Sequence, residues 1–392
     1  MRKKTNIRPK ILYLTHRDAK NKREWSGTLF FMAESLNRHA GEVVHAGPYN
    51  PKYWFFILKA INKISLLLFR KRYCIPYNYF LTKLYKYHFT RIIKRENPDI
   101  IFAAAASGEM SQLKVFQPKI YLGDITFNLL KDHYPNYQNL SSFSLWESEK
   151  IENRTFQKAA ALVFSSEWAA NSAKLDYKVP EDKINIIPYG ANMENVPNSA
   201  IAINKKINGP FKLLFLGLDW FRKGGDTVFQ SFIELREMGL DIELTVCGCI
   251  PPSKYKNPKM KIIPFLDKNK KGDSEKLYNL LLDTHLLFVP SKSDCTPIVF
   301  CEANAFGIPV ITSDAGGIKS VIKNGVNGYT LSVDSKPSDY SKIIADLHNN
   351  HSAYSKLVKS SRQYYESFLN WDKWGESMSA LINRIISKAP DK

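Results

Sequence analysis

Two carboxylates eight residues apart, Asp294 and Glu302, bracket Thr296, Pro297 and the pair Ile298-Val299. A proline at the first helical position loses no hydrogen bond and has its φ preset, so the spacing predicts a helix opening at Pro297. Asp294 then precedes that helix and Glu302 falls in its second turn. Unpaired amides at a helix start favour an anion, phosphate above all. Neither carboxylate needs to touch the phosphate, so both are free to accept from hydroxyls on either side of it. A nucleotide sugar has this layout: ribose hydroxyls, a diphosphate, then sugar hydroxyls. Well upstream, Arg222 and Lys223 lie in the loop Gly217-Leu-Asp-Trp-Phe-Arg-Lys-Gly-Gly225. They are adjacent cations in a loop that glycines keep open. One reading is a surface turn with two solvated cations.

The elements that must position these groups alternate strand and helix. Around the carboxylates, Leu286 to Pro290 reads as a buried strand and Ser291 to Asp294 as a turn. The helix stops at Gly307 and Pro309, Val310 to Thr312 is the next strand, and Asp314 to Gly317 is a glycine-rich loop. Lys212 to Leu216, Ile242 to Cys247 and Lys261 to Pro264 read as further strands, with helices over Asp226 to Met238 and Ser274 to Leu282. The run Lys268 to Gly272 reads as a solvated charged turn. The first half opens the same way, with a strand at Ile11 to Thr15, a loop ending at Gly27, and a helix over Thr28 to Arg38. Capping of that helix by Ser26 is the plain alternative to a ligand role for Gly27. Asp99 to Ala106 and Lys119 to Leu122 are strands, the second ending at Asp124, which either serves a site or caps the next helix. Helices over Glu147 to Ala160 and Ser166 to Leu175 enclose a strand at Ala161 to Ser165, and Lys183 to Pro188 closes the half. A polar, proline-containing stretch from Asn192 to Asn208 suits a linker. The expected class is α/β, two doubly wound domains facing across a cleft, residues 1–195 and 205–370, with a C-terminal helix over 371–392 crossing back.

At Asp294-x7-Glu302 followed by Ala-Asn-Ala-Phe-Gly-Ile-Pro-Val, the chain resembles the retaining glycosyltransferases of family four, which have the GT-B fold. The first acid of the signature is Asp here where relatives usually carry Glu, and Lys319-Ser320 stands where relatives carry a Glu after the double glycine. The resemblance implies that Glu302 holds the ribose hydroxyls and Asp294 a sugar hydroxyl. It also implies that the amides of Ile298 and Val299, with Arg222 and Lys223, hold the diphosphate. Phe265 and Leu266 fall at the family's base-binding loop, and Gly27 at the glycine loop that lets backbone approach the donor phosphate. Asp124, near the place of a histidine in many relatives, would orient the acceptor hydroxyl or touch the donor sugar.

Composition bounds the remaining choices. A formal charge of +19 over 392 residues asks for an anionic partner. From Lys52 to Arg95 eleven basic residues and no acidic one are interleaved with aromatics, and Lys52, Lys59, Lys63 and Arg70 share one helical stripe. Three readings fit: contact with an anionic membrane surface, a helical layer packed on the sheet, or nucleic acid, which lacks any accompanying motif. No apolar run is long enough to span a bilayer, and Ile11 to Thr15 is too short for a signal-peptide core, so the expected location is the cytosol, at most peripheral on the inner membrane face. The five cysteines include no C-x-x-C, and no D-x-D pair offers a metal clamp, so neither metal nor cofactor is expected.

The expected function is retaining, metal-independent transfer of a sugar from a nucleotide-diphosphate donor to a hydroxyl acceptor, a glycan or lipid-linked glycan of the cell surface. A non-catalytic nucleotide-sugar or membrane-binding protein on the same fold, or a nucleotide-sugar epimerase, are the alternatives.

Overall fold

A computed structural model describes residues 8–388, so part of the basic opening of the chain lies outside the described residues. The chain forms two compact units. One runs up to Ile187 and takes in the chain from Trp374 onward, and the other is Pro188–Lys373.

The first unit contains β1 (Lys10–Leu14), α1 (Thr28–His39), β2 (Glu42–His45), α2 (Lys52–Phe69), α3 (Tyr79–Glu96), β3 (Ile100–Ala104) and α4 (Ser107–Ser111). It continues with β4 (Lys119–Gly123), α5 (Phe127–His133), α6 (Ser142–Lys158), β5 (Ala161–Phe164), α7 (Glu167–Leu175) and β6 (Ile184–Ile186). Its six strands pair in parallel in the order β2-β1-β3-β4-β5-β6. Every residue of β3, β4 and β5 is buried, as expected of central strands covered by helices on both faces.

The second unit begins with α8 (Ser199–Ala202), β7 (Phe211–Leu216), α9 (Gly225–Glu237), β8 (Ile242–Cys247), β9 (Met260–Ile263), α10 (Lys271–Asp283) and β10 (Leu286–Val289). There follow α11 (Ile298–Ala305), β11 (Val310–Ser313), α12 (Ile318–Val321), β12 (Gly328–Leu331), α13 (Pro337–Asn349), α14 (His351–Phe368) and α15 (Trp371–Lys388), which runs on into the first unit. The sheet order is β12-β11-β10-β7-β8-β9, again parallel. Helix α9 buries one stripe, Val228, Phe232 and Leu235, at the i, i+4, i+7 spacing of an amphipathic helix.

In each sheet the strand order reverses once, between β1 and β3 in the first and between β7 and β10 in the second. Loops leaving the carboxyl ends of strands on either side of such a reversal diverge and leave a crevice. The α/β class with two doubly wound sheets matches the expectation from sequence. Some boundaries differ. Helix α6 starts at Ser142, five residues before the expected Glu147, because the Ser141 hydroxyl accepts from the Ser144 amide and caps it there. The expected linker carries a short helix, α8, capped by Asn198. Part of the expected charged turn before Ser274 is already helical, since α10 begins at Lys271.

Candidate active site

The carboxylate stretch and the cation loop meet at the switch point of the second sheet. Lys223 leaves the end of β7 and its ammonium bonds the Asp294 carboxylate, which lies beyond the end of β10; both residues are buried. Asp294 also accepts from the Ser291 hydroxyl at 3.0 Å. Arg222 points the same way: its Nη1 donates to the Ser293 carbonyl at 2.7 Å and stands 3.8 Å from Asp294 Oδ2. The reading of two solvated cations on a surface turn is therefore corrected, and the cause is the pair of glycines. Gly224 has φ +76 and a Cβ there would lie 2.1 Å from the Pro290 carbonyl oxygen; a Cβ on Gly225 would lie 2.2 Å from the Trp220 ring. Only glycine at both places lets the loop settle on the end of β10 and hand its cations to Asp294.

Pro297 caps α11, with φ −63 and ψ 117, so the helix proper starts one residue later than expected, at Ile298. Its first amides, those of Ile298 and Val299, have no partner within the helix. Thr296 and Pro297 are buried, and Ile298 and Val299 half-buried. Glu302 is buried to 1% exposure. Its Oε1 is bonded by the Lys268 ammonium, whereas Oε2 has no hydrogen-bond partner among the described residues. A buried carboxylate oxygen without a donor is costly in a folded chain and leaves a position open to one. Lys268 also donates to the Asn192 carbonyl at 3.3 Å. The run expected to be a solvated turn thus supplies the counter-charge of the most buried acid of the site. Asp267 shapes this loop, its Oδ1 accepting from the Asn269 amide at 3.1 Å, and the Lys270 amide bonds the Asp267 carbonyl at 2.8 Å. Phe265 and Leu266 precede it; the Phe265 ring is 48% exposed and available to a flat ligand.

Among the described residues, no group of three His, Cys, Asp or Glu side chains stands together as a metal-binding set. The five cysteines are free thiols; burial pushes Cys247 up to about 12 and raises Cys301 further, so both stay protonated.

The first unit holds the remaining expected residues, Gly27 and Asp124. Gly27, with φ 90, takes the N-cap position of α1, one residue after Ser26, where the capping alternative had placed it. Trp25 and Ser26 also take left-handed conformations, φ 48 and 57, so the turn holds strain at two non-glycine residues. Asp124 lies half-buried just past β4. Helix α5 is capped by Thr126, not by Asp124, since the Thr126 hydroxyl accepts from the Leu129 amide at 3.4 Å.

Sequence reasoning missed the pair at this unit's own switch point. His16, just after β1, places Nδ1 2.5 Å from Glu109 Oε1 in α4, and the His16 amide donates to the same oxygen at 3.0 Å. Burial alone would raise the Glu109 carboxyl, but the adjoining His16 and the N–H donors outweigh it and hold it below its ordinary value. No local motif announces the pair, because its members are 93 residues apart.

Comparison with known proteins fits this geometry. Residues 198–364 match the family model for glycosyl transferases group 1. A D-inositol 3-phosphate glycosyltransferase of Paenarthrobacter aurescens is 24% identical over 257 residues, 60% of this chain and 62% of that protein. Spore coat protein SA of Bacillus subtilis is 27% identical over 174 residues, 44% of this chain and 40% of that protein. This chain thus spans less than two thirds of the length of these relatives. Among solved structures, a sucrose-phosphate synthase of Thermosynechococcus elongatus superposes with a TM-score of 0.68 at 16% identity, over 97% of this chain and 99% of that one. Anabaena HepE, solved in complex with UDP and glucose, gives 0.65 at 14% identity, over 96% of this chain and 100% of that one. At these identities the likeness shows a shared fold, the GT-B arrangement of two parallel-sheet domains.

Proposed function

We propose that this chain, a glycosyl transferases group 1 family member through residues 198–364, transfers a sugar from a nucleoside-diphosphate donor to a hydroxyl acceptor. The observation that carries the reading is the crevice at the second sheet's switch point. There the opening turn of α11 lies between Asp294 and Glu302, and Lys223 and Arg222 both reach Asp294 at its start. The diphosphate would take the Ile298 and Val299 amides and compete with Asp294 for Lys223. Asp294, released, would accept from a sugar hydroxyl. Glu302 Oε2 would accept from a ribose hydroxyl, with Phe265 and Leu266 beside the base.

As the bond between the anomeric carbon and the phosphate oxygen breaks, its electron pair passes to the diphosphate. The two cations and the helix amides then gain interaction energy in the transition state that they lack in the ground state. The acceptor oxygen forms the new bond to the anomeric carbon, and its proton passes to the leaving phosphate. Retention of configuration follows from the resemblance of the Asp294–Glu302 signature. We further propose that no metal is needed, because protein cations supply the charge. Asp124 and His16, oriented by Glu109, are the polar groups the first unit offers to an acceptor. The apolar exposure and lysines of α2 support a lipid-linked acceptor presented at an anionic cytosolic membrane face.

Turnover of a panel of sugar nucleotides with and without chelator, with the product anomer read by NMR, tests this. The expected result is chelator-resistant release of nucleoside diphosphate with the donor's anomeric configuration kept. Donor binding without turnover, on water or on any acceptor offered, would make the chain a binding protein instead.

A further inference from the structure

Beside the membrane-like face of α2 the first unit holds a hollow of about 480 Å³ that the donor chemistry does not use. Its walls come from the start of α3 and the first half of α6: Tyr79, Phe80 and Lys83 on one side, Phe143, Trp146 and Lys150 on the other. The rings face solvent, with Phe143 60% and Trp146 55% exposed. Lys83 lies over the Tyr79 ring at 5.4 Å and Lys150 over the Trp146 ring at 4.4 Å. Arg154 also lies over the Tyr79 ring, at 5.3 Å. Neither Lys83 nor Lys150 is ion-paired with a carboxylate among the described residues.

The floor of the hollow carries one acid, Glu147, and it is spent on the protein. Its Oε1 accepts from the Tyr79 amide at 2.7 Å and its Oε2 from the Tyr73 hydroxyl. The local field is positive all the same. Arg154, first by its hydrogen bond and then by its charge, with Lys83 and Lys150 adding to it, draws the Tyr79 phenol below its ordinary value. The hollow is also continuous with a large apolar surface. Phe80, on its rim, packs on Trp54 of α2 with ring centroids 4.3 Å apart. Helix α2 fully buries only Leu58, whereas Tyr53, Phe56, Leu67, Leu68 and Phe69 are 69–73% exposed. Exposed apolar area of that size marks an interaction surface. A chain of rings and leucines that ends at a cluster of three cations matches a ligand with an acyl or prenyl tail and an anionic head.

We propose that the hollow between α3 and α6 binds the phosphate headgroup of an anionic lipid, between Lys83 and Lys150, with the lipid chain lying along Phe80, Trp54 and the exposed face of α2. This deepens the membrane part of the reading above and rests on it. The aromatic rings act as a wedge at headgroup depth, and the lysines supply the attraction that a neutral surface would lack. Among the described residues no helix is long and apolar enough to cross a membrane, so α2 lies in the interface plane.

Vesicle sedimentation of the full chain tests the assignment, using phosphatidylglycerol in phosphatidylcholine against phosphatidylcholine alone. Wild type is expected to sediment with the anionic vesicles, and Lys83→Glu/Lys150→Glu to bind them on the order of a hundredfold or more weakly, as the reversal of two charges near such a surface implies. Excess inorganic phosphate should leave wild-type binding in place, since the tail is part of the site; complete displacement would show a free-phosphate site and overturn the lipid assignment. Wild-type binding by the double variant, while Lys59→Glu/Lys63→Glu loses binding, would overturn the hollow and keep the membrane face. Indifference of wild type to anionic lipid would overturn both. Should the charge reversals fail to fold, brominated-chain phosphatidylglycerol gives a second readout: it should quench wild-type tryptophan fluorescence more than that of Trp146→Phe, and equal quenching would overturn the assignment. Donor hydrolysis in the same preparations reads the transferase proposal separately, so vesicle binding without any hydrolysis would sink that reading alone.

Discussion

Glu302 is the residue on which the donor reading turns, because its two oxygens differ: one is held by Lys268 and the other lacks a donor among the described residues. A charge-assisted hydrogen bond is worth about 1.5–3 kcal/mol, so Glu302→Ala should lower kcat/KM for the donor by roughly 10- to 100-fold. Unfolding curves should show the other half of the pair. Lys268→Met leaves a buried carboxylate without its counter-charge and should cost about 3 kcal/mol, most of it recovered in Lys268→Met/Glu302→Gln. If the double variant is no better than the single, the pair contributes little. A separate buried acid sets a pH dependence in the first unit. Glu152 accepts from the Phe127 amide and from the Tyr177, Ser107 and Tyr77 hydroxyls, and burial raises it to about 7. Folded, it holds a proton that the unfolded chain has already released above pH 4.5. Its contribution is therefore complete below that pH and is lost as pH rises through about 7. The stability of Glu152→Gln should fall less steeply than that of wild type over this window; parallel curves would contradict the raised pKa. Asp294, Glu302, Arg222 and Lys223 were legible in the sequence because each pair sits within one local stretch. The partners His16 with Glu109 and Lys268 with Glu302 were not, being 93 and 34 residues apart.

At the scale of elements, the site depends on how closely one loop lies on one strand. Gly224→Ala adds a left-handed strain of about 1 kcal/mol and a clash with the Pro290 carbonyl, so it should both destabilise the chain and displace Lys223 from Asp294, cutting turnover. Gly239, also left-handed but with open space around it, is the control. Gly239→Ala should lose about 1 kcal/mol of stability and keep its kcat. Equal loss of activity in both would mean that the loop is placed by something other than the glycine contact. Long periodic elements such as α9 were visible from sequence, as were the buried strands. Strand β2 was not, since none of its four residues at the sheet edge is fully buried and they carry little pattern. The start of α6 was missed because a serine-rich run reads as a turn until Ser141 is seen to cap it.

At the scale of the molecule, the chain repeats one device: a parallel six-stranded sheet with one reversal of strand order and polar groups gathered at it. The repeated strand, glycine loop and helix made this legible in the sequence, because each half must bury its own sheet between helices. The division of labour was less so. The charge of +19 says only that anions are involved, and it is geometry that sends Arg222 and Lys223 to one site and Lys83 and Lys150 to another. Calorimetric titration of the intact protein with a panel of nucleoside diphosphates tests the central claim most directly. At least one of them should bind, and should bind Lys223→Met and Glu302→Ala about tenfold or more weakly than wild type, the loss of one charge-assisted contact in each case. Binding by none of them, or binding that both variants leave unchanged, would contradict the donor site.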